Sequence, residues 1–366
     1  MKKIAYVITQ SEMGGAQKNI FLLCKYLKDH YDITVYSAPG GELIRELNSI
    51  GIKHIPVLDM VREINLLKDY KAYRFLLHEF ITNRYDIVHC HSSKAGIIAR
   101  EAASAAKIKN VIYTAHGFVF NEPMNKYKKN LYTFLEKFEA TKTNTLICVD
   151  PNDVTIAKNL GMKCKNSIEY IPNGIEFDEP SNPNFISGST NGKFIFGFVA
   201  NFYETKGHRY LIKAFNELVN SGIKDIELVL IGSGALEDEM KLLSQNNNSI
   251  KFLGFKKNGS ELMKSFDCFV MSSVKEGFPF VILEAIKNTI PIISTEVGAV
   301  RNILKDGELG YLVNAADWSE LMNSMLYVYN NYHEAKTKAV KAYDYCLEKY
   351  SIKNMIKLTI NAYECI

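Results

Sequence analysis

Short apolar runs rich in β-branched and aromatic residues recur along almost the whole chain, alternating with longer stretches whose apolar positions repeat every three or four residues. The first pattern marks strands buried on both faces and the second marks amphipathic helices, so the alternation predicts parallel β-α-β units. In the first half, strands are expected over residues 3–9, 33–37, 53–57, 87–91, 110–114, 145–149 and 167–171, with helices such as 16–28 and 96–106 between them. The second half repeats the plan. Its strands are expected over 194–201, 227–231, 250–253, 268–271, 290–294 and 310–313, and its helices over 210–220, 236–244, 280–287 and 318–329. The fold class is α/β, with two doubly wound parallel sheets. Residues 178–192 carry Pro180, Pro183, Gly188 and Gly192 in a stretch with little apolar content, so the linker between the sheets is expected there. Open sheets of this kind take ligands at the carboxyl ends of their strands. The loops that follow the strands are therefore where chemistry is sought.

Length and composition narrow the classes without changing that picture. A chain of 366 residues suits two domains of roughly 100–200 residues each. With 20 Phe and 21 Tyr the chain is no disordered segment. No apolar run approaches the roughly 18 residues of a membrane span. A net charge of +4 is too mild to point to nucleic acid, and no nucleic-acid partner is expected. The charge is uneven: residues 1–178 hold 24 Lys and Arg against 19 Asp and Glu, whereas residues 179–366 hold 20 against 21. Seven cysteines without a C-x-x-C pair read as a reduced, cytoplasmic protein with neither disulfide framework nor zinc site. Residues 4–8 run straight into Thr9-Gln10-Ser11-Glu12, which reads as a first strand rather than a leader.

The strongest local signal is Glu276-Gly277-Phe278-Pro279-Phe280-Val281-Ile282-Leu283-Glu284. A strand ends in Ser272 and Ser273, and a Gly-Pro loop then opens a helix that carries Glu284 in its second turn. Amides at a helix start receive anions or hydroxyls, and both carboxylates can accept hydrogen bonds from a sugar. Read singly, Glu276 is a loop acid and Glu284 a solvated helix acid. Other strand ends carry Gly14-Gly15-Ala16, then 89–96 (His-Cys-His-Ser-Ser-Lys-Ala-Gly), then Thr114-Ala115-His116-Gly117-Phe118. After these come Ile171-Pro172-Asn173-Gly174, Val199-Ala200-Asn201 with Lys206-Gly207, Ile231-Gly232-Ser233-Gly234 and Phe252-Leu253-Gly254-Phe255.

In this order the motifs resemble those of the retaining glycosyltransferases of family 4, over nearly the whole chain and ending in the E-x7-E of Glu276 and Glu284. The resemblance implies the GT-B fold, in which two Rossmann-like domains face a cleft. Residues 1–178 with 351–366, the last helix crossing back, would form the acceptor-side domain, and 179–350 the donor-binding domain. It implies a nucleotide-sugar donor, UDP- or GDP-linked, held by Gly14, Gly15, Asn201, Lys206, Phe255, Glu276, Gly277, Phe278, Pro279 and Glu284. His116, Lys206 and Glu276 would be catalytic, and His91, Ser93 and Lys94 would line the acceptor side. Gly14 and Gly15 admit close backbone approach before a helix dipole that favours a diphosphate. Lys206 would stabilise charge growing on the leaving diphosphate. His116 would position and polarise, with a general-base role as the alternative. No cofactor is implied. With no Asp-x-Asp motif, and no third or fourth ligand evident beside the His89 and His91 pair, no metal is expected.

One position departs from the family, whose members commonly carry Arg where this chain has Asn201. An amide brings no charge, which shifts the load to Lys206, with Arg209 a candidate for compensation. The segment 122–139 interleaves Lys126, Lys128, Lys129 and Lys137 with aromatic and aliphatic residues. It is expected either to lie on an anionic membrane or to pack Leu131, Phe134, Leu135 and Phe138 on the sheet. With the positive first half, it favours a lipid-linked acceptor over a free oligosaccharide, and peripheral placement on the inner face of the plasma membrane. The implied function is transfer of a hexose or N-acetylhexosamine in bacterial capsule or O-antigen synthesis. The rivals are a nucleotide-sugar 2-epimerase and a sugar-nucleotide-binding subunit without catalysis; a dehydrogenase is disfavoured because no G-x-G-x-x-G opens the first helix.

Overall fold

Parallel strands buried on both faces need apolar side chains at nearly every position and helices to cover both sides. The computed structural model, which describes residues 1–122, 124–177, 192–244 and 247–364, meets that requirement twice. The chain divides into Met1–Asn173 with Ile352–Ile366 (unit 1) and Gly174–Ser351 (unit 2). Apart from Gly192, the stretch expected to be the linker lies outside the described residues.

Unit 1 has strands β1 (Lys2–Val7), β2 (Tyr31–Ser37), β3 (Lys53–Pro56), β4 (Ile87–His91), β5 (Asn110–Ala115), β6 (Thr145–Cys148) and β7 (Ser167–Tyr170). They pair in parallel in the order β3-β2-β1-β4-β5-β6-β7. Its helices are α1 (Gly15–Leu27), α2 (Glu42–Ser49), α3 (Leu66–Asn83), α4 (Ser93–Ala105), α5 (Lys126–Ala140) and α6 (Pro151–Asn159). Asn65 and Asn125 start α3 and α5 by accepting hydrogen bonds from the amides of Lys68 (3.1 Å) and Lys128 (2.9 Å).

Unit 2 has β8 (Phe194–Val199), β9 (Ile226–Ile231), β10 (Ile250–Phe252), β11 (Cys268–Met271), β12 (Ile292–Thr295) and β13 (Tyr311–Val313), parallel in the order β10-β9-β8-β11-β12-β13. Its helices are α7 (His208–Asn220), α8 (Glu237–Leu243), α9 (Gly259–Leu262), α10 (Phe280–Lys287), α11 (Val300–Ile303), α12 (Trp318–Asn330) and α13 (Tyr332–Lys349). The last helix, α14 (Ile352–Glu364), belongs to unit 1.

Strand alternation sorts β4 into two roles. Val88 and Cys90 enter a core shared with Ala72, Leu76 and Phe80 of α3 and Ala95 and Ala99 of α4. His89 and His91 face the other way. There the Tyr363 hydroxyl of α14 meets His89 Nδ1 at 2.7 Å and the Tyr6 hydroxyl at 2.8 Å, and Asn110 Nδ2 donates to the Tyr363 carbonyl at 2.9 Å. These bonds fasten α14 to the sheet.

The expectation that Leu131, Phe134, Leu135 and Phe138 pack on the sheet is overturned. Leu131, Phe134 (65% exposed) and Phe138 face solvent and Leu135 is half-buried, while Glu136 and Glu139 are buried. The cause is Arg100 on α4, a wholly buried guanidinium that needs a counter-charge. Glu136 Oε2 lies 2.9 Å from it, and the Tyr113 ring is 4.1 Å from its carbon. Glu139 bonds Lys142 at 3.2 Å, and Lys142 also pairs with Glu101 of α4. An acidic rather than an apolar stripe binds α5 to its neighbour.

Candidate active site

In unit 2 the loops that leave β8, β11 and β12 converge at the carboxyl end of the sheet. Val274 N donates to the Thr205 carbonyl (2.9 Å), Ser272 Oγ to the Lys206 carbonyl (3.1 Å) and Ala299 N to the Gly277 carbonyl (2.8 Å). The spacing leaves no room for side chains at two points. Gly207 has φ +65°, and a Cβ there would lie 2.1 Å from the Ser272 carbonyl oxygen. Gly298, at φ +55°, would put one 2.2 Å from that of Gly277.

These stitches bring Lys206 and Glu276 together, 70 residues apart in sequence. Lys206 Nζ sits 2.7 Å from Glu276 Oε1, and Ser273 Oγ donates to the same oxygen at 2.7 Å. The Glu276 side chain is only 12% exposed, so the ammonium and hydroxyl offset its desolvation. A cation and a carboxylate thus stand at a strand-end cluster, one suited to phosphate oxygens and the other to sugar hydroxyls. Gly277 is half-buried, and Phe278 and Pro279 are buried; the Phe278 ring meets Tyr350 edge-on at 5.5 Å. Glu284 is half-buried on α10, and Phe255 and Asn201 are exposed. Arg209, the candidate to compensate for Asn201, is engaged with two acids in this structure. Its guanidinium bonds Glu239 at 3.0 Å and Glu204 at 3.5 Å. Beside Lys206, His208 is buried against the Phe202 ring at 4.2 Å, and burial, with the Lys206 charge, holds its imidazole down to about 3.

In unit 1, β4 and β5 deliver His91 and His116 to adjacent strand ends. His91 Nδ1 and His116 Nε2 are 3.0 Å apart and the rings stack at 5.3 Å. His91 Nε2 is buried without a hydrogen-bond partner among the described residues. Burial holds His116 at about 4 and His91 well below its usual range, the latter helped by its histidine neighbours. Both rings are neutral near pH 7, so one donates to the other and the bond fixes their tautomers together. His89 is spent on structure, with Nε2 2.7 Å from Thr114 Oγ1 and Nδ1 on Tyr363. Among the described residues no three His, Cys, Asp or Glu side chains form a metal-holding group. Ser93 is half-buried at the start of α4, and Lys94 pairs with Asp69 at 2.6 Å and with the Glu63 carbonyl. Gly14 and Gly15 are exposed at the start of α1, with Gly14 in extended backbone.

Three residues gain roles that the sequence does not announce. Ser273 holds Glu276, Gly298 lets the β12 loop close on it, and the Ser92 hydroxyl, at a residue with φ +65°, bonds Thr9 Oγ1 at 2.7 Å across two strand ends. Ser273 and Ser92 stand within the strand-end motifs without a signal of these bonds, and Gly298 is a lone glycine just past a strand.

Comparison with known proteins gives the same architecture. Residues 13–179 match the family model "Glycosyltransferase Family 4", and residues 182–344 match "Glycosyl transferases group 1". The Escherichia coli UDP-Gal:alpha-D-GlcNAc-diphosphoundecaprenol alpha-1,3-galactosyltransferase is 30% identical over 340 residues, 89% of this chain and 87% of that one. The Staphylococcus aureus capsular polysaccharide biosynthesis glycosyltransferase CapM is 25% identical over 307 residues, 80% of this chain and 79% of its own. Among solved structures, Anabaena HepE in complex with UDP and glucose superposes with a TM-score of 0.84 at 18% identity, covering 100% of both chains. The chain belongs to glycosyltransferase family 4 and has the GT-B fold, within a group whose relatives include enzymes of bacterial surface-polysaccharide synthesis.

Proposed function

We propose that this glycosyltransferase is retaining and metal-independent, and moves a hexose or N-acetylhexosamine from a UDP- or GDP-sugar to a lipid-linked glycan acceptor. The product would serve capsule or O-antigen synthesis. The observation that carries the reading is the Lys206–Glu276 pair, held by Ser273 at the carboxyl end of the unit 2 sheet. In this reading Lys206 turns to the donor diphosphate and Glu276 accepts hydrogen bonds from sugar hydroxyls, with Glu284 on the ribose and the loop at Phe255 against the base. Gly14 and Gly15 at the start of α1 are assigned to the donor diphosphate, as the family resemblance implies. The bond from the anomeric carbon to the β-phosphate oxygen breaks. The acceptor oxygen bonds that carbon on the same face, and its proton passes to the departing phosphate. Charge grows on that phosphate in the transition state, where Lys206 stabilises it in place of a metal. The E. coli relative's name specifies a UDP-sugar and a diphosphoundecaprenol acceptor, and HepE binds UDP, which makes this donor and acceptor class the first to test. His91, Ser93 and Lys94 are assigned to the acceptor side, and the exposed face of 122–139 to the surface of an anionic membrane.

The test is a thermal-shift panel of UDP-, GDP-, ADP- and dTDP-sugars. A donor at 100 times its Kd stabilises the native state by about 2.7 kcal/mol, which moves Tm by several degrees. UDP or GDP compounds should shift Tm, and a panel with no shift sinks the reading.

His116 adds a prediction about pH. Because burial holds it at about 4, the imidazole stays neutral from pH 8 down to about 5. The pH profile of kcat/KM should therefore show no His116 inflection near 6.5. An inflection there that vanishes in His116→Gln would assign His116 as a titrating base and overturn the neutral role. His91→Phe, which removes the tautomer partner, should lower kcat more than it changes the donor KM.

A further inference from the structure

Helices α3 and α5 pack on either side of α4, which is sunk between them with only Ser104 and Ala105 exposed along its length. The two flanking helices share an unusual distribution of charge. Each carries two acids, and all four turn inward. Asp69 of α3 pairs with Lys94 of α4, and Glu79 accepts from the Tyr36 hydroxyl at 3.0 Å. On α5, Glu136 is taken by Arg100 and Glu139 by Lys142. The cations do the reverse: Lys68, Lys71 and Arg74 on α3, and Lys126, Lys128, Lys129 and Lys137 on α5, are all exposed. Between them stand bare apolar groups, with Leu66 81%, Leu67 77% and Tyr127 89% exposed.

We infer that α3 joins α5 in a single two-helix face that docks on an anionic phospholipid bilayer, with Lys94 and Arg100 of α4, Lys142 and the Tyr36 hydroxyl drawing the acids out of it. The inference rests on the membrane contact proposed for 122–139 and extends it to a second, sequence-distant helix. Two helices whose own acids turn inward while their cations, leucines and a tyrosine face out complement a bilayer, which offers a continuous negative sheet above an apolar layer. In parallel β-α-β units a helix starts where the preceding strand ends. Leu66, Leu67 and Tyr127 therefore lie toward the edge of unit 1 to which β4 and β5 deliver His91 and His116, which suits an acceptor whose lipid stays in the membrane.

Two triple variants test this by co-sedimentation with vesicles of phosphatidylglycerol and phosphatidylcholine, against pure phosphatidylcholine. Lys68→Gln/Lys71→Gln/Arg74→Gln alters α3 alone, and Lys126→Gln/Lys128→Gln/Lys129→Gln alters α5 alone. All six side chains are exposed, so circular dichroism should confirm an unchanged fold. The wild type should bind only the anionic vesicles. At about fivefold per lost cation, each triple variant should weaken binding on the order of a hundredfold. If only the α5 variant loses binding, the two-helix face is wrong while the contact through 122–139 stands. If the wild type fails to bind, or binds neutral vesicles equally, both fall.

Discussion

Lys206→Ala is expected to lower kcat/KM by on the order of 10³-fold, equivalent to about 4 kcal/mol of transition-state stabilisation. Two effects add. The variant loses the cation that would meet the growing charge on the leaving diphosphate, and it strands Glu276, whose carboxylate is 12% exposed and takes half its local support from Lys206 Nζ at 2.7 Å. An uncompensated carboxylate at that point repels the diphosphate as well. Glu276→Gln alone should cost less, because the amide still accepts from Ser273 and from sugar hydroxyls. The double variant Lys206→Ala/Glu276→Gln should then fall well short of the product of the two single losses, since neutralising the stranded acid removes the repulsion. Lys206→Arg keeps the charge and should recover part of the rate. Steady-state kinetics with the donor that shifts Tm provides the measurement. A Lys206→Ala enzyme within threefold of wild type would reject the role, and with it the catalytic reading of this site.

What sequence exposes and what it hides follow from the range of the interactions. Both sheets were legible because strand burial is a local property: β6, β11 and β12 are buried at every position and read as unbroken apolar or small-residue runs. Lys206 and Glu276 were legible as members of motifs, each within a few residues of its own glycine. Their 2.7 Å contact was not, because it depends on three loops meeting across two glycines that only the folded backbone explains. The failure at α5 has the same source. Its apolar residues recur at helical spacing, and nothing nearby announces that Arg100, 36 residues away, will claim Glu136 and turn that stripe outward. Asn201 was visible as a departure. That Arg209 is already committed to Glu239 and Glu204 was not, since those partners lie on other segments.

The second large effect concerns that buried cation. Arg100→Met should destabilise unit 1 by about 3–5 kcal/mol, the range for breaking a buried ion pair from one side, because Glu136 would keep its desolvation cost without its partner. Arg100 also donates Nε to the Gly96 carbonyl at 2.9 Å and lies over the Tyr113 ring, so the loss spreads to the start of α4. The single tryptophan, Trp318, belongs to α12 of unit 2 and separates the readouts. In urea, far-ultraviolet circular dichroism should show unit 1 melting earlier by more than about 1 M, while Trp318 fluorescence reports unit 2 with its midpoint little moved. Acid should narrow the gap between variant and wild type. Burial already pushes Glu139 up to about 7 against the lowering pull of the Arg100 charge. Without Arg100 its folded-state affinity for a proton rises further above the unfolded value, so the penalty of burying it charged fades as pH falls through that raised value. Arg100→Met/Glu136→Leu, which removes both charges, should regain more than half of the loss. Equal stability of Arg100→Met and wild type at pH 7 would mean that the ion pair does not hold α5. The inward turn of its acids, and the basic face it leaves outside, would then need another cause.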